Sequence, residues 1–334
     1  MILKLSSFLV LLLQCTALPP LYRVIDCDDP QTHEAALFAL QHINWNHNHG
    51  YKYALNRVEE AKAYTQNQDH VIYILELDLL ETKCPSVSPT PVDQCIVRPR
   101  NEQAVEGDCD VKIQKLHGNY TVLGVRCKSE LDSAENVFPA CPLCHFLAPL
   151  NDTNVIHAVD VSLVNFNAGN NTVFYHLHEI GRGQFQDANS VRVEFVIVAS
   201  NCSIEEANSG LSACVANTGA DAQYGGCVST VVTNPALQEE TVNVQCNIYG
   251  PQPAQDQQAT VQDVPVVPQQ PKVHGHYHHS LYHSSLWPHS SESSSAEHHQ
   301  KAIGKPVVRR SLTGEPVPPN TLQRPLCPGR KLFF

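Results

Sequence analysis

The sequence contains no apolar run of about 18 residues, so no segment reads as a membrane-spanning helix. It also lacks catalytic signatures. There is no Ser/His/Asp order, no GxSxG, no HExxH and no phosphate-binding glycine loop, so an enzyme is not expected. Basic residues are in deficit. Lys and Arg number 22 against 33 Asp and Glu, a formal net charge of −11 with histidine neutral. That balance speaks against nucleic acid and anionic membrane, and for cations or basic partners. Tryptophan is scarce, at Trp45 and Trp287 only.

What is present starts with MILKLSSFLVLLLQCTALPP. Lys4 gives a positive start, Leu5 to Leu13 a short apolar core, and Cys15-Thr16-Ala17 a small-residue cleavage site. Residues 1–17 therefore read as a secretory signal peptide, and a soluble, secreted, extracellular chain is expected. Of 13 cysteines, Cys15 leaves with that segment. The remaining even number points to disulfides. Four sequons follow, at Asn119, Asn151, Asn170 and Asn201, so a glycoprotein is expected.

Eight cysteines fall into two sets of four: Cys84, Cys95, Cys109 and Cys127, then Cys202, Cys214, Cys227 and Cys246. The nearly constant offset between the sets marks a duplicated domain. Each copy opens with a helical pattern. In the first, Asp28 or Asp29 caps, Pro30 fits the first turn, and Ala36, Leu40 and Ile43 recur at helical spacing. In the second, residues 151–153 cap a stripe of Val155, Val159, Leu163 and Phe166. Strand patterns follow: HVIYILELDLLETKC, CIVRPR and CDVKIQKLHGNYTVLGVRC in copy one, and SVRVEFVIVASNC, GGCVSTVV and TVNVQCNIY in copy two. A helix laid on an antiparallel sheet, twice, is an α+β architecture. The expected boundaries are 18–128 for domain 1, 129–146 for a linker, 147–250 for domain 2 and 251–334 for a disordered Pro/His/Ser-rich tail.

Within this frame Cys109–Cys127 and Cys227–Cys246 would staple neighbouring strands. Cys84–Cys95 and Cys202–Cys214 would close short loops. Cys141-Pro-Leu-Cys144 in the linker admits a small ring disulfide, a redox pair or half a zinc site. If Cys141–Cys144 is a ring, parity joins Cys27 to Cys327 and ties the end of the tail to the start of domain 1.

CDDPQTHEAAL (27–37), LETKC (80–84), AVEGDCD (104–110), DSAENV (132–137), LAPLNDT (147–153) and the terminal CPGR (327–330) resemble the fetuin family of the cystatin superfamily. The resemblance covers both domains and the terminus. It implies tandem cystatin-like domains, a monomer, and binding of calcium phosphate with inhibition of mineralisation. It also implies endopeptidase inhibition as an alternative, and contacts with the insulin receptor or growth factors of the TGF-beta family. Inhibitory cystatins carry a Gln-x-Val-x-Gly hairpin and a Pro-Trp hairpin. Here the equivalent stretches read YTQNQDHVIY and GRGQFQDANSVRV, and neither fits. A metalloprotease-inhibiting branch of the family carries Cys-Pro-Asp-Cys in the linker, where this chain has Leu143.

The residues give the mineral reading physical content. In YILELDLL, leucines alternate with Glu76 and Asp78. In GDCDVKI, Asp108 and Asp110 face away from Cys109 and Val111. Carboxylates two apart on one strand face stand about 6.5–7 Å apart. Glu102 and Glu106 lie nearby in sequence. Oxygen arrays of this kind suit calcium, here many ions weakly held rather than one caged ion. Lys112 on the same face and Leu80 after Asp78 interrupt the array. Ser133, Ser203, Ser290 and Ser295 each stand two residues before a glutamate, a phosphorylation pattern that would add negative charge. His274, His276, His278 and His279 in the tail are candidates for weak zinc binding. No cofactor is required on this reading, apart from calcium as calcium phosphate.

Overall fold

The computed structural model describes residues 22–67, 69–131, 147–169, 172–210, 213–219, 222–237, 239–250 and 326–333. Two α+β units follow one another. The first comprises β1 (Arg23–Val24), α1 (Pro30–Asn46), β2 (Tyr51–Asn67), β3 (His70–Pro85), β4 (Val105–Leu116) and β5 (Asn119–Leu131), with the strands antiparallel in chain order. The second comprises α2 (Thr153–Ala168), β6 (Val173–Asp187), β7 (Ser190–Ser203), the short α3 (Ile204–Ser209), β8 (Tyr224–Asn234) and β9 (Glu239–Ile248).

Each long helix starts at an aspartate. The Asp29 side chain accepts from the Gln31 and Thr32 amides, and Asp152 accepts from Asn154. Ala36, Leu40 and Ile43 of α1 pack against Leu75, Leu77, Leu79, Val111 and Ile113 of the sheet. Val155 and Val159 of α2 pack against Val193, Phe195 and Ile197, with Leu163 and Phe166 partly buried at the rim. The small Ala35, Ala36 and Ala39 let α1 lie close to its sheet.

Two strands were absent from the sequence pattern, β2 and β6. Both carry bulges, between Leu55 and Arg57 and between Val58 and Glu60 in β2, and at the corresponding places in β6. Each bulge shifts the two-residue alternation by one, which erases the strand signature. Conversely, CIVRPR is not a strand. It contributes one isolated bridge, Thr82 to Val97, and Pro99 then leads into a 3₁₀ turn at Arg100–Glu102.

Among the described residues five disulfides close: Cys27–Cys327, Cys84–Cys95, Cys109–Cys127, Cys202–Cys214 and Cys227–Cys246. Cys141 and Cys144 lie outside the described residues. Residues 326–333 dock on domain 1. The Gly329 amide donates to the Val58 carbonyl and the Leu332 amide to the Asn56 carbonyl, each at 2.8 Å, along the edge of β2 beside β1. Gly329 fits closely there. A Cβ would stand 3.0 Å from an Asp28 carboxylate oxygen and 3.2 Å from the Val58 carbonyl. The segment is seated by backbone bonds as well as tethered by its disulfide.

Candidate functional site

The face of the first sheet turned away from α1 carries the acidic residues. Strand register assembles them into rows. Glu60, Glu76 and Asp110 are paired neighbours across β2, β3 and β4, and the row ends at Arg126 on β5. Arg57, Asp78, Asp108 and Lys128 form the adjacent row. Neighbouring strands stand about 4.8 Å apart, so the result is a two-dimensional grid of carboxylates. Glu60 joins the grid only because β2 exists, so sequence reading missed it.

The carboxylates are not equivalent. Asp110 is held by Arg126 at 2.6 Å and Glu60 by Lys62 at 2.7 Å. Asp78 is buried. It accepts from the Asn56 amide at 2.9 Å and lies 3.5 Å from Arg57, under the C-terminal segment. Burial raises its pKa, against the Asn56 hydrogen bond. Glu76 meets no cation among the described residues. Burial, then the carboxylates of Asp110, Glu59, Glu60 and Asp108, push its pKa above the ordinary value. Like charges crowded on one face favour whatever neutralises them, a proton or a metal ion.

Glu106, opposite Leu80, lies 3.8 Å from Arg100 at the edge of the grid. Glu102 is elsewhere, bonded to Lys83 at 2.5 Å and to Arg98 at 2.9 Å beside domain 2. Burial would raise its carboxyl, but these cations outweigh it and hold it below the ordinary value. Among the described residues no three His, Cys, Asp or Glu side chains come close enough to hold one metal ion. The grid is open and shallow, without a cage.

The duplication supplies an internal comparison. Leu77 pairs with Cys109 and Cys109 with Cys127, while Phe195 pairs with Cys227 and Cys227 with Cys246. This register makes Glu194 the counterpart of Glu76, Arg182 of Glu60, Gly226 of Asp108 and Val228 of Asp110. In domain 2 domain 1 covers the β6 and β7 part of this face, while Val228 of β8 and Gln245 of β9 stay exposed. Glu194 takes Arg98 and Tyr51, Glu179 takes the Gly50 amide at 2.9 Å, and Gly226 lies against Pro85 and Tyr249. Among the described residues only the domain 1 face carries the carboxylate grid outward, since Gly226 and Val228 replace Asp108 and Asp110 in domain 2.

At the far end of domain 1, β1 and the two hairpin tips lie together. The His117 amide donates to the Asp69 carbonyl at 2.9 Å, and the Tyr22 and Tyr64 rings stand 5.9 Å apart. Asp69, His70, His117 and Gly118 form these tips, and neither reads Val-x-Gly or carries a tryptophan.

The modification candidates scatter. Asn119 is exposed at the start of β5, and Asn151 is exposed just before the α2 cap. Asn201 is exposed, but its side-chain oxygen accepts from the Val215 amide at 2.9 Å. The Ser203 hydroxyl accepts from the Glu206 amide as the cap of α3. Asn170, Ser133, Ser290, Ser295, His274, His276, His278 and His279 lie outside the described residues.

A single helix on a bulged antiparallel sheet, present twice, defines the class. The Cystatin domain model matches residues 23–118. Comparison with curated proteins narrows this, and the chain belongs to the fetuin family of the cystatin superfamily. It is 41% identical over 258 residues to sheep alpha-2-HS-glycoprotein, covering 74% of this chain and 70% of the relative. To the bovine protein of the same name it is 37% identical over 344 residues, covering 94% and 92%. Among solved structures it is similar to mouse fetuin-B in complex with crayfish astacin, with a TM-score of 0.58 and 25% identity over 70% of this chain and 71% of that one. Among the described residues no helix is long and apolar enough to cross a membrane.

Proposed function

We propose that this protein is a secreted glycoprotein that binds calcium phosphate and restrains its growth, a mineral chaperone. The observation that supports this most is the row Glu60–Glu76–Asp110, three carboxylates on adjacent strands of an open face, with Glu76 uncompensated. Calcium takes oxygen ligands in flexible geometry, and a flat grid meets many surface ions at once where a cage would hold one. Domain 1 coats nascent clusters, and the glycosylated remainder, with sugars at Asn119, Asn151, Asn170 and Asn201, keeps the coated particles apart. Phosphate at Ser133, Ser290 and Ser295 adds charge, and the tail histidines hold zinc weakly. Nucleic acid and membrane insertion are not part of this reading.

The test is particle size and turbidity in supersaturated calcium phosphate. The natural protein should give small stable particles. The variant E76Q/D108N/D110N should let the mineral precipitate. Precipitation with both proteins removes the reading.

A second reading, protease inhibition, draws on likeness to fetuin-B, which in one solved structure forms an inhibitory complex with human meprin beta. The domain 1 tips lack the residues of a papain-directed wedge, so the same samples should leave papain unaffected. Signalling through the insulin receptor or TGF-beta family ligands has no residue-level support here.

A further inference from the structure

Between the two domains lies a lattice of buried charges that the mineral reading does not use. Arg98 of domain 1 is 1% exposed, yet it carries a full charge. Its guanidinium forks onto Glu194 of domain 2, at 2.9 and 3.3 Å, and also reaches Glu102 at 2.9 Å. The return contact runs the other way. Arg182 of domain 2, also buried, donates to Glu81 of domain 1 at 2.9 Å and to the Glu102 and Gln103 carbonyls. The Tyr51 hydroxyl donates to Glu194 at 2.7 Å, and its ring lies 4.7 Å from the Arg98 guanidinium carbon. Each domain thus gives one arginine and takes the other's.

We infer that this lattice is an interdomain lock, in which Arg98 and Arg182 pin the two domains at one fixed orientation. Several features favour a lock over a general adhesive surface. A planar guanidinium held bidentately fixes angle as well as distance. Buried charges tolerate only the arrangement that pairs them, so every rotated arrangement leaves an unpaired ion. The backbone fits as tightly: a Cβ on Gly181 would stand 2.6 Å from the Tyr51 hydroxyl. The partners also come from separate elements, β2, β3 and the 95–103 loop on one side and β6 and β7 on the other.

The test uses the full-length secreted protein with spin labels carried by non-natural residues at the exposed Leu116 of domain 1 and Leu237 of domain 2. Pulsed distance measurement should give one narrow peak for the otherwise natural chain. R98M and R182M should each widen the distribution at least about twofold while circular dichroism stays that of two folded domains. A broad peak without substitution, or a peak unchanged in both variants, overturns the lock. If either variant fails to fold, the uncharged pair R98M/E194Q, which leaves no unpaired ion at that contact, decides. A broadened peak supports the inference and an unchanged narrow one overturns it. The outcome is independent of mineral binding, because Glu76, Asp108 and Asp110 remain in place.

Discussion

Glu76 and Glu194 occupy the same place in two copies of one fold and show what surroundings do to a carboxylate. Burial alone would raise both. Glu194 has Arg98, Arg182 and Tyr51 around it and is held at about 2. Glu76 has other carboxylates around it and stays above its ordinary value of 4.5. For Glu76 the sign follows directly. Its ionised form is disfavoured in the fold, so its contribution to stability is greatest below the ordinary glutamate range and is lost as pH rises through its raised pKa. E76Q should therefore stabilise domain 1 at neutral pH by a few tenths of a kcal/mol, as relief of like-charge crowding on a strand pair. The same change should weaken mineral binding. Denaturant unfolding and mineral titration of one variant check both. A loss of stability would contradict the account of Glu76.

At the scale of elements, much was legible and the exceptions are physical. The helices announced themselves through Asp28 or Asp29 and through residues 151–153 before apolar stripes, and the structure selects Asp29 and Asp152 as the caps. The strands holding Cys109, Cys127, Cys227 and Cys246 showed clear alternation. β2 and β6 did not, because their bulges reset the alternation and because Lys52, Asn56 and Glu60 sit among their apolar residues. The acidic residues of β3 and β4 could be named from sequence. Their neighbours across strands could not, since Glu60 and Arg126 enter only through register. Nor could burial of Asp78, which depends on a segment some 250 residues away meeting Asn56. That segment offers its own prediction. Amide exchange at Gly329 and Leu332 should be slow in the natural protein. In C327S both should exchange at least about tenfold faster, while the Leu77 amide in the core strand stays protected. Equal protection in the two proteins would mean that the backbone bonds hold the segment without the disulfide.

At the scale of the whole molecule, duplication has given one face two uses. In domain 2 the β6 and β7 part of the face receives domain 1, and in domain 1 the part around Glu76, Asp108 and Asp110 stays open while the C-terminal segment covers Asp78. The two also separate in pH. Glu194 is held near 2, so the stability it contributes is present above the ordinary glutamate range and is lost as pH falls toward that value. As pH falls from neutrality toward the ordinary glutamate value of 4.5, Glu76 takes up its proton before an unperturbed glutamate would, because its pKa is raised, and the grid loses that charge. Mineral binding should therefore decline across this interval while the narrow interdomain distance persists. A distance distribution that broadens together with the loss of binding would tie the lock and the grid together, against this account.

The most direct test of the central claim is carboxylate footprinting by carbodiimide labelling and mass spectrometry, with and without calcium phosphate particles. The account predicts loss of labelling at Glu60, Glu76, Asp108 and Asp110 on particle binding, and no change at Glu205 and Glu239 of domain 2. Uniform protection of both domains, or protection confined to domain 2, would contradict it.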